Sequence, residues 1–324
     1  MPQYDLPDAE LVRYRSAVVP PADLAEFWAD TVARSRAVGW APKVEPVDAG
    51  LRVVDTCDVT FSGFNGEPVK AWLHRPTGAA GDLPIVVRYV GYGTGRALAH
   101  QVSHYALAGY ACLTVDNRGQ GSGGGYVGDT ADAVGSGPSY PGFVTRGILD
   151  RDTYYYRRLF TDAVLAVDAA RAMPGVIGSR VAVAGVSQGG GITLAVAGLA
   201  DGLSAVMADV PFLCDFPRGA ALAGQGPYQE LAGYLATQRQ HHDRAFEVLA
   251  HFDAAVLVRS ATAPALFSVA LMDQVCPPST VYAGYNAYNG PKRIVRYPFN
   301  DHEGGQFHQE AEQLRWLPSV MPLG

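Results

Sequence analysis

Charge is scarce in this chain: Asp, Glu, Lys and Arg make up 17% of its 324 residues, against about 25% in an average globular domain. Acidic residues outnumber basic ones, 31 to 25, for a net charge of −6, and no basic run exceeds two residues. Such a chain offers little to a nucleic-acid backbone or an anionic membrane, and neither is expected as a partner. Cysteine is sparse as well. Cys57, Cys112, Cys214 and Cys276 are scattered, with no CxxC pair and no metal-ligand spacing, and they read as small core hydrophobes of a reduced protein. No metal or organic cofactor is called for. The longest apolar stretches, such as residues 265–272, fall far short of the roughly 20 residues a bilayer needs. The opening MPQYDLPDAELVRYR is acidic and has no apolar signal-peptide core, so a cytoplasmic protein is expected.

Apolar residues are plentiful, at 48%, enough for a large core and against disorder as the main state. Length alone would allow two domains, but α/β folds often exceed 250 residues as one unit, so a single domain over residues 1–324 is expected. A helix pattern over 21–36 places Leu24, Phe27, Trp28 and Val32 on one face. Two strand-like runs, 52–61 and 69–75, flank the turn signal SGFNG and predict a hairpin. Short apolar strands then alternate with helices. The strands are 84–90, 111–115, 181–184, 205–209, 265–269 and 293–297; the helices are 99–108, 154–172, 188–199 and 279–288. This alternation predicts a mostly parallel sheet with helices on both faces. Two stretches break it: a Gly/Ser/Pro-rich surface loop over 119–142, and a helical insertion over 213–252 that could wall a pocket.

The strand ending at Ala184 runs into Gly185-Val186-Ser187-Gln188-Gly189, and a helix pattern follows at once. In a chain with 37 glycines the bare GxSxG pattern means little. The strand–turn–helix context gives it force. A serine on such a strained turn projects its Oγ above the sheet, and the N–H of Gln188 at the helix N-terminus faces a developing oxyanion. A triad on this frame follows in the order Ser, acid, His, each at the C-terminal end of its own strand. Asp273 and His302 stand at two such ends. His302 would take the serine proton and hand it to the leaving alcohol, while Asp273 would hold the imidazole tautomer. Asp273 could instead cap the helix that starts near Pro277, Asp301 is a rival acid, and His308, the other downstream histidine, falls inside the last helix pattern.

The strand 84–90 leads into Gly91-Tyr92-Gly93-Thr94-Gly95, with Asp116 some twenty residues on. That invites a dinucleotide site, but the third glycine comes one residue early and Arg96 stands where it belongs. The loop better supplies a second oxyanion N–H, with Tyr92 as donor, or is simply a tight turn. Arg118 reads as a structural ion-pair residue.

These residues carry a resemblance. YVGY (89–92), DNRGQGS (116–122), TRGILD (145–150), TYYYRRLFT (153–161), GVSQGG (185–190), DVPFLC (209–214), PALFSVALMDQVCPPST (264–280) and YPFNDHEGG (297–305) resemble the acetyl xylan esterase / cephalosporin C deacetylase family, carbohydrate esterase family seven of the α/β-hydrolase superfamily. The similarity covers nearly the whole chain. It implies an α/β-hydrolase fold, with Ser187 as nucleophile, Asp273 as acid, His302 as base, and the Tyr92 and Gln188 N–H groups as oxyanion hole. It also implies hydrolysis of short acyl esters, chiefly acetyl, on varied alcohols, including acetylated sugars and cephalosporin C-type esters, and a homohexamer with sites facing an internal cavity. Gly93-Thr94-Gly95 departs from the family's usual loop. Two other readings compete: a catalytically silent binding protein on the same fold, and a prolyl-oligopeptidase-type serine peptidase. The latter usually carries a propeller, and no repeat of propeller size is present.

Overall fold

The computed structural model describes residues 3–134 and 142–323. Nine strands form one sheet: β1 Lys43–Val47, β2 Val54–Ser62, β3 Pro68–Pro76, β4 Leu83–Tyr89, β5 Ala111–Val115, β6 Val176–Val186, β7 Ala205–Asp209, β8 Ala265–Ala270 and β9 Lys292–Tyr297. Their spatial order is β1-β2-β3-β5-β4-β6-β7-β8-β9. The first strands pair antiparallel, and from β5 onward every neighbour is parallel. The expected hairpin is β2–β3, in register from Val54 opposite Pro76 to Ser62 opposite Pro68.

Alternation along the central strands divides the core between two faces. Ile85, Val87 and Tyr89 of β4 face one side, under the helices Tyr155–Arg171, Gln188–Leu199 and Pro278–Ala287. Val86 of the same strand faces the other, where Tyr105, Leu317 and Met321 cover it. Both faces are covered, so the central strands read as unbroken apolar runs. The helix Leu24–Ala37 buries Phe27, Trp28 and Val32 as expected, and the Trp28 indole donates to the His251 carbonyl at 2.9 Å. No helix among the described residues is long and apolar enough to cross a membrane. Three cysteines are buried, Cys57 is half-buried, and all four are free.

Four expectations need correction. The edge strand β1 was not foreseen, because KVEPV is polar, mostly exposed and interrupted by Pro46. The helix expected over 99–108 contracts to His104–Leu107, since Ala97 has positive φ and the Ala99 carbonyl pairs with the His74 ring at 2.8 Å. β6 starts at Val176, five residues before Val181. The loop over 119–142 is not wholly superficial, as Gln120, Thr130 and Asp132 are buried; residues 135–141 of it lie outside the described residues.

Candidate active site

Ser187 closes the turn between β6 and the helix Gln188–Leu199 with φ 58° and ψ −118°, a strained conformation for a residue with a Cβ. The turn is tight enough to demand its glycines. A Cβ on Gly185 would lie 2.3 Å from the Gly189 carbonyl, and one on Gly189 would lie 2.3 Å from the Tyr89 carbonyl oxygen. The Ser187 N–H donates to the Asp209 carbonyl at 3.0 Å, which ties the elbow to the end of β7.

The loops after β8 and β9 bring up Asp273 and His302. Ser187 Oγ lies 2.9 Å from His302 Nε2, and His302 Nδ1 lies 2.9 Å from Asp273 Oδ2. Asp273 is fully buried, and its Oδ1 accepts the N–H groups of Val275 and Cys276, each at 2.8 Å. One carboxylate thus closes its own turn and holds the imidazole, whereas the helix Pro278–Ala287 has Pro277 at its N-cap and no side-chain cap. Asp301 does not compete as the acid. Its Oδ1 accepts the N–H of His302 and of Gln274, each at 2.8 Å, and stitches the base loop to the acid loop. His308 is exposed on the helix Gln306–Val320. Asp273, Cys276 and His302 also place ligand-type atoms within 4.8 Å of one another. Asp273 and His302 already bond to each other there.

Ser187 and His302 open into a cavity of about 670 Å³ that Tyr92 also lines. The N–H groups of Tyr92 and Gln188 have no backbone acceptor among the described residues. The loop carrying Tyr92 is held by side chains whose part sequence reasoning missed. Gln120 Oε1 accepts the Gly93 N–H at 2.7 Å, and Gln188 Nε2 donates to the Gly91 carbonyl at 3.3 Å. The two amides pair with each other and are steadied by the hydroxyls of Tyr155 and Tyr156. Asn117 Nδ2 reaches the carbonyls of Val90, Gly91 and Thr94. The N–H groups of Gly121, Ser122 and Gly123 converge on the Gly93 carbonyl.

Asp116 is buried, and its carboxylate accepts the N–H groups of Arg96 and Asp129, which leaves no room for a ribose. Burial still pushes its pKa up. Arg118 is fully buried against Asp162 and Glu67, as a structural residue should be. The 213–252 insertion does form a wall: Gly226, Pro227 and Glu230 line the cavity, and the Tyr92 hydroxyl donates to Glu230 at 2.6 Å.

Comparison with known proteins matches the acetyl xylan esterase family model to residues 1–320. The chain belongs to the acetyl xylan esterase family. The family consists of carboxylic ester hydrolases on the α/β-hydrolase fold. Among solved structures, the acetyl xylan esterase from Paenibacillus sp. R4 is 33% identical with a TM-score of 0.89, covering 97% of this chain and all of that one. Acetyl xylan esterase 1 from Thermoanaerobacterium sp. JW/SL YS485 is 30% identical with a TM-score of 0.86, covering 96% and 98%. A curated relative, the acetyl esterase Axe7A of Xylanibacter ruminicola, is 31% identical over 163 residues. That match takes in half of this chain and only 36% of the relative's length.

Proposed function

We propose that this acetyl xylan esterase family member removes acetyl and other short acyl groups from acetylated xylo-oligosaccharides and from cephalosporin C-type esters, with Ser187, His302 and Asp273 as its catalytic triad. The observation that carries the reading is the unbroken chain Ser187–His302–Asp273, with both contacts at 2.9 Å, on a strained elbow. His302 takes the Oγ proton as Ser187 attacks the acetyl carbonyl. The tetrahedral oxyanion is held by the N–H groups of Tyr92 and Gln188. Collapse expels the sugar alcohol, which receives the proton from His302. Water, deprotonated by the same imidazole, then frees acetate from the acyl-enzyme. Asp273, buried beside the ring, stabilises the imidazolium. The reading extends to a cytoplasmic homohexamer, for which light scattering on the purified protein is the direct check.

The test is acetate release from p-nitrophenyl acetate by the wild type and by Ser187→Ala. The alanine variant should lose about four decades or more in kcat, since removing a triad nucleophile leaves only the oxyanion hole and binding. An inert wild type, or a variant that keeps the rate, would put the silent binding protein in the lead.

A further inference from the structure

A second cavity, of about 320 Å³, lies behind the loop that carries His302. It shares Arg88, Val186 and Glu303 with the cavity of Ser187, so the two chambers adjoin. Its walls come from the face of the sheet opposite the nucleophile helix: Arg88 alternates with Tyr89 on β4 and points with Val86 toward the helices His104–Leu107 and Gln306–Val320.

The lining is unusually rich in polar groups left idle. Arg88 is half-exposed and makes no side-chain hydrogen bond among the described residues, although its charge faces Glu310 and His104. His104 Nε2 and Ser268 Oγ are buried beside Gln313 and Asp209, but neither reaches hydrogen-bond geometry with its neighbour. Buried polar atoms are seldom left so, because each orphan costs about 1–3 kcal/mol. Two in one chamber, beside the half-exposed Arg88, point to a ligand that would satisfy them.

The chamber's charge argues against an anion. Glu303 and Glu310 stand in the same walls as Arg88, and burial pushes the His104 imidazole down to about 4, so it is neutral. Planar forks that donate and accept in pairs, a neutral imidazole and a hydroxyl match vicinal hydroxyl groups on a neutral ring. Phe307, 78% exposed at the rim, offers an apolar face for the ring's C–H groups. The volume sits at the small end of ligand sites, about 300–1,000 Å³, and suits one sugar ring rather than a polymer.

We propose that this side chamber is a glycosyl subsite, which receives the sugar unit adjoining the acetylated one through Arg88, His104, Ser268 and Glu310, with Phe307 as its platform. The inference rests on the deacetylase reading above and adds where the enzyme recognises more than the acetyl group.

The experiment compares kcat/KM on acetylated xylobiose and on p-nitrophenyl acetate for the wild type, Arg88→Met and His104→Phe, with xylobiose binding to Ser187→Ala followed by calorimetry. The subsite predicts that each wall substitution lowers kcat/KM on the disaccharide ester at least tenfold more than on p-nitrophenyl acetate, mainly through KM. It also predicts that Arg88→Lys, which keeps the charge, recovers part of the loss. Parallel losses on both esters would mean that Arg88 merely supports the catalytic loop and would overturn the subsite, as would no loss on either. If the wild type hydrolyses neither ester, the deacetylase reading fails on its own. The chamber is then judged by calorimetry alone, where xylobiose binding abolished by Arg88→Met upholds it and absence of binding refutes it.

Discussion

Replacing Arg118 by Met should show how much the buried ion pairs under the active site contribute. Asp162 receives Arg118 Nε and Nη2 at 2.6 and 2.8 Å, both partners are almost wholly buried, and Glu67 receives Nη1 at 2.5 Å. Asp132 keeps Arg158 at 2.8 Å if Arg118 is lost, so Asp162 is the group left stranded. Breaking a buried pair from one side costs about 3–5 kcal/mol. A second route gives a similar figure. A stranded carboxyl escapes by taking up a proton, and at pH 7 that costs about 1.36 kcal/mol for each pH unit above its ordinary value of 3.8, or about 4 kcal/mol. The two routes differ in pH dependence, and the second makes the stronger prediction. In the variant the folded-state pKa of Asp162 rises further above its unfolded value, so stability falls as pH rises through that window. The deficit against wild type should shrink to about 2 kcal/mol at pH 5. Urea unfolding followed by circular dichroism at pH 5 and pH 7.5 measures it. Adding Asp162→Asn, which keeps an oxygen for the Phe64 N–H now bonded at 2.7 Å, should recover much of the loss. A deficit below about 1 kcal/mol, or one equal at both pH values, would refute the account of Asp162 as a stranded charge.

Three further outcomes follow from the site. Gln120→Leu removes the acceptor of the Gly93 N–H, and kcat on p-nitrophenyl acetate should fall about 10- to 100-fold with little change in KM; an unchanged kcat would mean the amide pair does not position the loop. Gly185→Ala forces a Cβ to within 2.3 Å of the Gly189 carbonyl, so the variant should either fail to fold or lose at least about 100-fold in kcat, as circular dichroism and esterase rates will tell. Asp209, pushed up to about 7 by burial between Gln309 and Gln313, binds a proton in the folded state that the unfolded chain releases near pH 4. Wild type should therefore lose up to about 4 kcal/mol relative to Asp209→Asn as pH rises from 4 to 7, and a difference flat in pH across urea titrations would count against it.

The parallel strands were legible because burial on both faces leaves them as short apolar runs between turn signals. The positions of the candidate triad residues were legible because elbow chemistry puts Ser187, Asp273 and His302 each just past the C-terminal end of its own strand, β6, β8 and β9. What escaped has a common physical cause. β1 is held by pairing with β2 from Lys43 opposite Thr60 to Val47 opposite Thr56, a backbone interaction that leaves little mark on side-chain pattern. The amide pair of Gln120 and Gln188 joins residues 68 apart in sequence. No periodicity reveals such a pair, although RGQ and SQG each place an amide just past a strand end. Glu230 meeting Tyr92 across 138 positions is of the same kind. Long-range polar contacts are chosen by the fold after it forms, whereas strands and elbows are dictated by neighbours in sequence.

The segment that follows β5 links global stability to the catalytic loop. Asp116 and Asn117 bind the backbone around residues 90–96. The Arg118 side chain anchors the hairpin turn through Glu67 and the helix Tyr155–Arg171 through Asp162. The Arg118 carbonyl accepts from Tyr155 at 2.6 Å, and the Tyr155 hydroxyl in turn accepts from Gln120, which holds Gly93. Four of the five residues 116–120 thus carry the position of two outlying elements into a loop beside Ser187. A network of this kind sets geometry only while every member is satisfied, because in a water-poor interior each lost partner exposes the next. Substitutions inside it should therefore lower kcat and stability together, whereas substitutions in the side chamber around Arg88 should separate one ester from another.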